Sequence, residues 1–411
     1  MRIALLCQYF PPELGAPSAR VSELARAWTT SGHEVTVVTG MPNHPTGILP
    51  PAYRGIRFVE EAFHGVRVLR NWVYATPNEG FVKRTLNHLS FMVSSLWYST
   101  RRLRGSDVIV VSSPTFFVVI SAWLMSRVLG VPYVFEVRDL WPGIFVELGI
   151  LKNRHIIRVL EAVEMFLYRH AARVVVVTHS FKEILVRRGL PPGHVDVVTN
   201  GVDPEYYRPM SSDTAQRSAH SLKDKCVVLY IGAHGISHAL QAIIQSAERL
   251  RDRDDIRFVF VGEGAEKKAL VERAAALELA NVLFLPGQPK ETMPSWYATA
   301  DIALVPLRDI ALFETFIPSK MFEILACARP VVGSVRGEAR RILEASGGAV
   351  VVDPEDAQAI ADAVRALADA PARREALGAA GRAFVMAHYD RRVLAEQYVR
   401  ILADVRAERR A

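Results

Sequence analysis

The chain opens on a pattern that fixes its fold class. An apolar run from Ile3 to Tyr9 ends in a Phe10-Pro11-Pro12 turn and a loop holding Gly15. An amphipathic stretch over about residues 18–31 follows, then Gly32-His33 and a second apolar run from Glu34 to Thr39. Uninterrupted apolar runs suit strands covered on both faces, which are parallel strands with helices packed above and below. Strand, helix, strand at this spacing is a βαβ unit with an expected right-handed crossover. The alternation returns at 108–112, 116–129 and 133–138, and again at 173–178, 180–188 and 195–198.

Past Asn200-Gly201-Val202-Asp203 the chain turns polar through Tyr206-Tyr207-Arg208-Pro209 and a serine-rich stretch to Lys225. A second series then begins, with strands at 227–232, 256–262, 282–285, 302–305 and 331–333 and helical stretches between them. At 411 residues the chain exceeds what one core ordinarily fills. The expected fold class is α/β, with two Rossmann-like domains facing across a central cleft. The first domain covers residues 1–202 and the second residues 203–385; a helix over 386–411 is expected to cross back to the first. The segment from Val108 to Val137 is apolar enough by count to span a bilayer. Ser112-Ser113-Pro114, Arg127 and Gly130-Val131-Pro132 divide it, so it reads as a buried βαβ unit.

The formal net charge of +7 suits anionic partners, whether nucleotide diphosphates, phospholipid headgroups or nucleic acid, without choosing among them. Cys7, Cys226 and Cys327 are far apart and form no Cys-x-x-Cys pair, which argues against a disulfide framework or a zinc site. A reducing cytoplasm is the expected home. The opening Met-Arg-Ile-Ala-Leu-Leu-Cys lacks the regions of a secretion signal, so secretion is not expected.

The densest chemical signal is Glu314-Thr-Phe-Ile-Pro-Ser-Lys-Met-Phe-Glu323. Pro318 reads as a first-turn proline, and Lys320 then puts a cation where the helix dipole is already positive, which costs stability unless an anion binds. Helix-start amides with Ser319 and Lys320 make a phosphate site, and Glu323 is placed to accept hydrogen bonds from sugar hydroxyls. The plainer alternatives are a solvated lysine and a carboxylate that compensates the dipole. Gly15 follows the first strand, at the edge where α/β sheets bind ligands, and would let backbone amides approach a diphosphate, unless it is only a turn glycine. Asp139 ends a strand at the same edge and is placed to orient or deprotonate a hydroxyl, unless it pairs with Arg138 or caps the next helix. His234, followed by Gly235, and His238 flank a helix start near the expected phosphates, where an imidazolium would offset charge; His234 is the expected binder. Glu263, between Gly262 and Gly264, is expected near the same ligand, although a turn carboxylate is equally ordinary.

Several segments in order resemble a family 4 glycosyltransferase of the two-domain GT-B fold over nearly the whole chain. They are Tyr9-Phe10-Pro11-Pro12-Glu13-Leu14-Gly15, Gly32-His33-Glu34-Val35-Thr36-Val37, Asn200-Gly201-Val202-Asp203, Val261-Gly262-Glu263-Gly264 and the Lys320/Glu323 segment. Thr39-Gly40-Met41-Pro42-Asn43-His44-Pro45-Thr46-Gly47 and Arg138-Asp139-Leu140-Trp141-Pro142 are similar to the fucosamine and colanic-acid-type branch, which builds bacterial cell-surface polysaccharides. The resemblance implies transfer from a nucleotide-diphosphate donor, a UDP-sugar, to a lipid-diphosphate-linked glycan acceptor in O-antigen, lipopolysaccharide, capsule or exopolysaccharide synthesis. It also implies retention of anomeric configuration. The leaving diphosphate would be met by Lys320, His234 and backbone amides rather than a metal, and no cofactor is expected. Glu323 would hold the donor ribose or sugar, with Glu314 beside it. The chain departs from the family in three places. The first family glutamate falls at Thr315, one residue after Glu314; the usual arginine and lysine fall at Ala233 and His238; and Ala16 replaces a second glycine. Asp252-Arg253-Asp254 match a metal-binding Asp-x-Asp of another transferase class by letters only, within a charged turn.

Residues 81–104 mix Lys83, Arg84, Arg101, Arg102 and Arg104 with Leu86, Leu89, Phe91, Met92, Val93, Leu96, Trp97 and Tyr98. This composition suits a helix lying on an anionic membrane surface, or else one packed inside the domain. Because a lipid-linked acceptor demands membrane access, peripheral association with the inner face of the cytoplasmic membrane is expected. The rivals are a UDP-N-acetylglucosamine epimerase on the same fold and an NAD-dependent dehydrogenase. The dehydrogenase is disfavoured because Lys267 replaces the third fingerprint glycine. No basic and aromatic motif of a nucleic-acid-binding module is present, so no nucleic-acid partner is expected.

Overall fold

The computed structural model describes the chain except residues 14, 15, 45, 77–80, 114, 144, 145, 147–150, 410 and 411, and except the side chains of residues 16, 17, 81 and 82. Two compact units emerge: Met1–Thr199 with the segment from Arg392, and Asn200–Arg391. Each is built on its own sheet.

The first unit runs β1 (Arg2–Leu6), α1 (Ala16–Thr30), β2 (Glu34–Gly40), β3 (Phe58–Phe63), β4 (Val66–Asn71), α2 (Phe81–Ser99), β5 (Val108–Ser112), α3 (Phe116–Leu129), β6 (Tyr133–Val137), α4 (Arg154–His170), β7 (Arg173–Val176), α5 (His179–Arg187) and β8 (Val195–Val197). The strand order is β3-β4-β2-β1-β5-β6-β7-β8. All neighbours pair in parallel except β3, which is antiparallel to β4. That edge hairpin closes through His64 and Gly65 at φ 47° and 81°. Positive φ at both turn residues gives the twist that a two-residue hairpin requires. The apolar segment 108–137 resolves into β5, α3 and β6, and among the described residues no helix is long and apolar enough to cross a membrane.

The second unit runs α6 (Ala215–Ala219), β9 (Cys226–Ile231), α7 (Leu240–Glu248), β10 (Ile256–Val261), α8 (Lys267–Ala276), β11 (Val282–Leu285), α9 (Met293–Thr299), β12 (Ile302–Pro306), α10 (Lys320–Ala326), β13 (Val331–Ser334), α11 (Gly337–Ser346), β14 (Ala349–Val352), α12 (Ala357–Ala368) and α13 (Pro371–His388). Its strands are all parallel, in the order β11-β10-β9-β12-β13-β14. In both sheets the winding reverses at a central pair, β1/β5 and β9/β12. The carboxyl ends of such a pair border the crevice where open α/β sheets take ligands.

The C-terminal run that the sequence reading began at 386 is divided between α13 and α14 (Arg391–Glu408). Helix α14 packs on the first sheet, where Leu394, Tyr398, Leu402 and Val405 join Trp28 of α1 in one buried cluster. The Trp28 and Tyr398 rings meet edge-on at 5.2 Å, and the indole N–H donates to the Ala395 carbonyl at 3.3 Å. Trp28→Ala should therefore cost about 3–5 kcal/mol in urea unfolding. The Tyr398 hydroxyl, by contrast, is buried without a hydrogen-bond partner among the described residues. Tyr398→Phe should leave stability within about 0.5 kcal/mol or raise it; a loss above about 1 kcal/mol would show that the hydroxyl is bonded.

Candidate functional site

In the second unit the β9/β12 switch point gathers Lys320, Tyr230, His234 and His238. Lys320 is the first residue of the seven-residue α10. Ser319 caps it without a side-chain bond, and Pro318 lies just ahead of the helix rather than within its first turn. The Pro318 and Ser319 carbonyls accept from the amides of Met321 and Phe322, which turns the chain into the helix. The Lys320 ammonium is buried, has no hydrogen-bond partner among the described residues, and lies 4.2 Å from the centre of the Tyr230 ring. A Cβ on Gly232 would stand 2.6 Å from Nζ, and Gly232 has φ 142°, so glycine is what lets the end of β9 close over the amine. Burial pushes the Lys320 amine down to about 8, against the pull of Glu323.

The two histidines differ in setting. His234 is fully buried, with its ring 6.2 Å from Phe260 and 6.3 Å from Phe284, and neither ring nitrogen has a hydrogen-bond partner among the described residues. Burial, helped by Lys267 and Lys320, pushes it down to about 4, so it sits in the fold as a neutral imidazole. His238 ends a 3-10 turn (Ile236–His238) that follows Gly235. The turn is tied to the β12 side by the Arg308 amide, which donates to the Ser237 carbonyl at 3.0 Å. The His238 ring is half-buried and lies 6.0 Å from Tyr230, at the end of the turn facing the close of β12. Burial and Lys320 push it down to about 4.

Glu323, one turn into α10, accepts from the Tyr297 hydroxyl at 2.8 Å. Burial holds its carboxyl above the usual range while the Tyr297 phenol opposes that shift. Glu263 is exposed and pairs with Lys267 at 2.8 Å, and it accepts the Gly287 amide at 3.3 Å. Lys267 also donates to the Gly262 and Leu285 carbonyls, so this pair fastens the ends of β10 and β11. Glu314 is exposed on a 3-10 turn (Ala311–Thr315) whose backbone packs against Gly337. Lys320 and the histidines thus converge, Glu323 is turned to Tyr297, and Glu263 and Glu314 stand at the surface. Sequence reading missed Tyr230 and Tyr297, whose roles depend on which residues the fold brings beside them.

In the first unit Gly15 lies outside the described residues. Asp139 follows β6 half-buried, and burial raises its carboxyl above the usual range against the pull of Arg138. At the β1/β5 switch point a small cavity is lined by Cys7, Gln8, Tyr9, Val21, Ser112, Ser113 and Arg138. Buried Glu13 accepts from the amides of Asn43 and His44 at 2.8 and 2.9 Å and of Phe10 at 3.1 Å, which joins two distant loops. His88 of α2 was also missed. Its Nδ1 bonds the Gln8 side-chain oxygen at 2.6 Å, while the Gln8 amide donates to Asn87 at 2.6 Å and Asn87 donates to Asn43 at 3.2 Å. Helix α2 buries Phe91, Ser95 and Ser99 and leaves Leu86, Val93 and Trp97 exposed, Trp97 at 81%.

Comparison with known proteins matches residues 15–201 to the glycosyl transferase 4-like domain and residues 212–384 to the glycosyl transferases group 1. The putative colanic acid biosynthesis glycosyl transferase WcaI of Escherichia coli K12 is 26% identical, over 89% of this chain and 91% of its own length. The probable glycosyltransferase WbjE of Pseudomonas aeruginosa is 23% identical, over 73% and 75%. Among solved structures, sucrose-phosphate synthase from Thermosynechococcus elongatus matches with TM-score 0.77 and 19% identity over 99% of both chains. Anabaena HepE in complex with UDP and glucose matches with TM-score 0.73 and 16% identity, over 98% of this chain and 100% of that one. The chain is a glycosyltransferase: it belongs to family 4 and has the two Rossmann-like domains of the GT-B fold.

Proposed function

We propose that this enzyme transfers a sugar from a UDP-sugar to a lipid-diphosphate-linked glycan during synthesis of a bacterial cell-surface polysaccharide. The observation that carries the reading is the Lys320 ammonium, buried at the β9/β12 switch point without a hydrogen-bonding partner among the described residues. A buried cation in that state is costly, and a diphosphate supplies the missing charge and acceptor oxygens. The donor class is supported by structural neighbours solved with UDP and with UDP-glucose. The polysaccharide class is supported by a relative named for colanic acid biosynthesis.

As the bond from the anomeric carbon to the diphosphate breaks, negative charge grows on the leaving phosphate oxygen, and Lys320 stabilises it without a metal. Glu323, oriented by Tyr297, has lone pairs left for a donor hydroxyl. Asp139 orients the acceptor hydroxyl at the carboxyl edge of the first sheet. Retention of configuration follows the family resemblance. Access to a lipid-linked acceptor is served by peripheral contact with the cytoplasmic membrane through the exposed Leu86, Val93 and Trp97 and the exposed Arg84, Arg101, Arg102 and Arg104.

Thermal unfolding against UDP-, GDP-, dTDP- and ADP-sugars tests the pocket. A UDP-sugar at about ten times its Kd should stabilise the protein by about 1.4 kcal/mol, and Lys320→Ala should lose the effect. Stabilisation that survives in Lys320→Ala would place the nucleotide elsewhere.

Lys320 should also cost the free enzyme stability. Its amine titrates lower in the folded chain, about 8, than in the unfolded chain, near 10.5. Between those values the unfolded state holds more protons, so stability should rise with pH through that window. Below about 8 the full penalty is present, and Lys320→Met should stabilise the ligand-free protein at pH 7 by about 2–3 kcal/mol in urea unfolding while abolishing nucleotide-sugar binding. A destabilised Lys320→Met would mean that the lysine serves the fold.

A further inference from the structure

In the first unit a chain of buried amides runs from the loop after β2 to helix α2, and its last member is His88. Backbone groups at its ends fix the direction of every bond. The carbonyls of Met41 and Tyr74 only accept, so the Asn43 and Asn87 side-chain NH2 groups that meet them at 2.8 and 2.9 Å are donors. Asn87 Nδ2 also donates to Asn43 Oδ1 at 3.2 Å, which leaves Asn87 Oδ1 to accept from Gln8 Nε2 at 2.6 Å. Gln8 Oε1 remains, and it accepts from His88 Nδ1 at 2.6 Å. Nδ1 therefore carries the proton of the neutral ring, and Nε2 is a bare lone pair.

Gln8, Asn43 and Asn87, each at most 8% exposed, are committed to this one tautomer. His88 itself is half-buried, and its Nε2 is not sealed from solvent and has no hydrogen-bond partner among the described residues. Gln8 lies just past the end of β1 and lines, with Ser112, Ser113 and Arg138, the cavity at the β1/β5 switch point. The lone pair is thus held at the carboxyl edge of the first sheet, where open α/β sheets take ligands.

A lone pair takes a donor. Phosphate oxygens only accept, which excludes a diphosphate as its partner, whereas a sugar hydroxyl fits. The ring is also a poor base. A neutral amide rather than a carboxylate stands behind Nδ1, and burial, then Arg84 one turn earlier on α2, push the ring down to about 4. It can orient a hydroxyl without taking its proton. On the reading of this enzyme as a transferase to a glycan acceptor, we propose that His88 is a specificity-determining residue of the acceptor site, its Nε2 accepting a hydrogen bond from a sugar hydroxyl of that glycan. Gln8, Asn87 and Asn43 are the positioning residues that keep this nitrogen free of a proton. Such a site discriminates, because an acceptor without the hydroxyl leaves the lone pair unpaired.

Two measurements test this. Nitrogen-15 spectra of the enzyme labelled at histidine, with His88→Gln to assign the ring, should show Nδ1 protonated and Nε2 bare at pH 7. The second readout is transfer from UDP-glucose, UDP-galactose and UDP-N-acetylglucosamine to farnesyl-diphosphate-linked glucose, galactose and N-acetylglucosamine. In the pair that reacts, His88→Leu should raise the acceptor KM about tenfold and leave the donor KM level. His88→Gln, whose amide oxygen can stand where Nε2 stands, should recover most of that loss. Among deoxy forms of the acceptor, one should cost the wild type the same factor and cost His88→Leu nothing further. An Nε2–H tautomer, or a loss in His88→Leu that falls equally on donor KM and melting temperature, overturns the role of His88 and leaves the transferase reading standing. Transfer to none of the three acceptors overturns the acceptor class and this inference together.

Discussion

The second unit is organised around a cation that no described residue satisfies with a hydrogen bond. Lys320 Nζ is buried over the face of Tyr230, within 2.6 Å of where any side chain on Gly232 would begin. A ring face offers an ammonium roughly 0.5–2 kcal/mol, well short of the cost of burying a charge. The contact is therefore a holding position rather than a resting one. It also explains local choices that packing alone would not make. The end of β9 must be glycine, Tyr230 must point to the carboxyl edge, and α10 must begin at the lysine so that a short stem reaches the crevice.

Glu323 sits one turn further along the same helix and is handled differently. Tyr297 gives it a hydrogen bond and no charge, which fixes its orientation while keeping lone pairs available. If Glu323 paired directly with Lys320, each would satisfy the other and neither would be left for a ligand. Separating them along α10 keeps both usable, and the burial that raises the carboxyl also lowers the amine.

The sequence carried the strand–helix alternation because parallel strands in a two-faced core must read as unbroken apolar runs. Boundaries such as Val282–Leu285, Met293–Thr299 and Phe116–Leu129 fall where the pattern places them. What stayed hidden was of another kind. The β3–β4 hairpin lies at the sheet edge, where half-exposed strands such as Phe58–Phe63 give a mixed pattern. Helix α4 is largely exposed and amphipathic, and its capping signal is a single Asn153 that accepts from the His155 and Ile156 amides. In the site, Lys320 was legible because a lysine at a helix start is locally unfavourable. His234 and His238 looked alike as letters, and burial separates them: His234 is enclosed while His238 is half-buried.

The first unit meets the same problem of buried charge with the opposite solution. Glu136 on β6 is fully buried, and Arg20 of α1 pairs with it at 2.7 Å. The same guanidinium donates to the Val198 and Thr199 carbonyls at 2.9 and 3.0 Å. One cation thus binds α1, β6 and the last residues before the chain leaves the unit. A carboxylate and two carbonyls are a full complement for a guanidinium fork, so Arg20 is spoken for and serves architecture. Removing Arg20 would take the 2.7 Å ion-pair partner from buried Glu136, leaving Arg138 and Ser112 to hold it, and would leave the Val198 and Thr199 carbonyls without this donor. Removing Lys320 strands no hydrogen-bonding group among the described residues. That asymmetry, and not the residue type, distinguishes a structural cation from one held for a ligand.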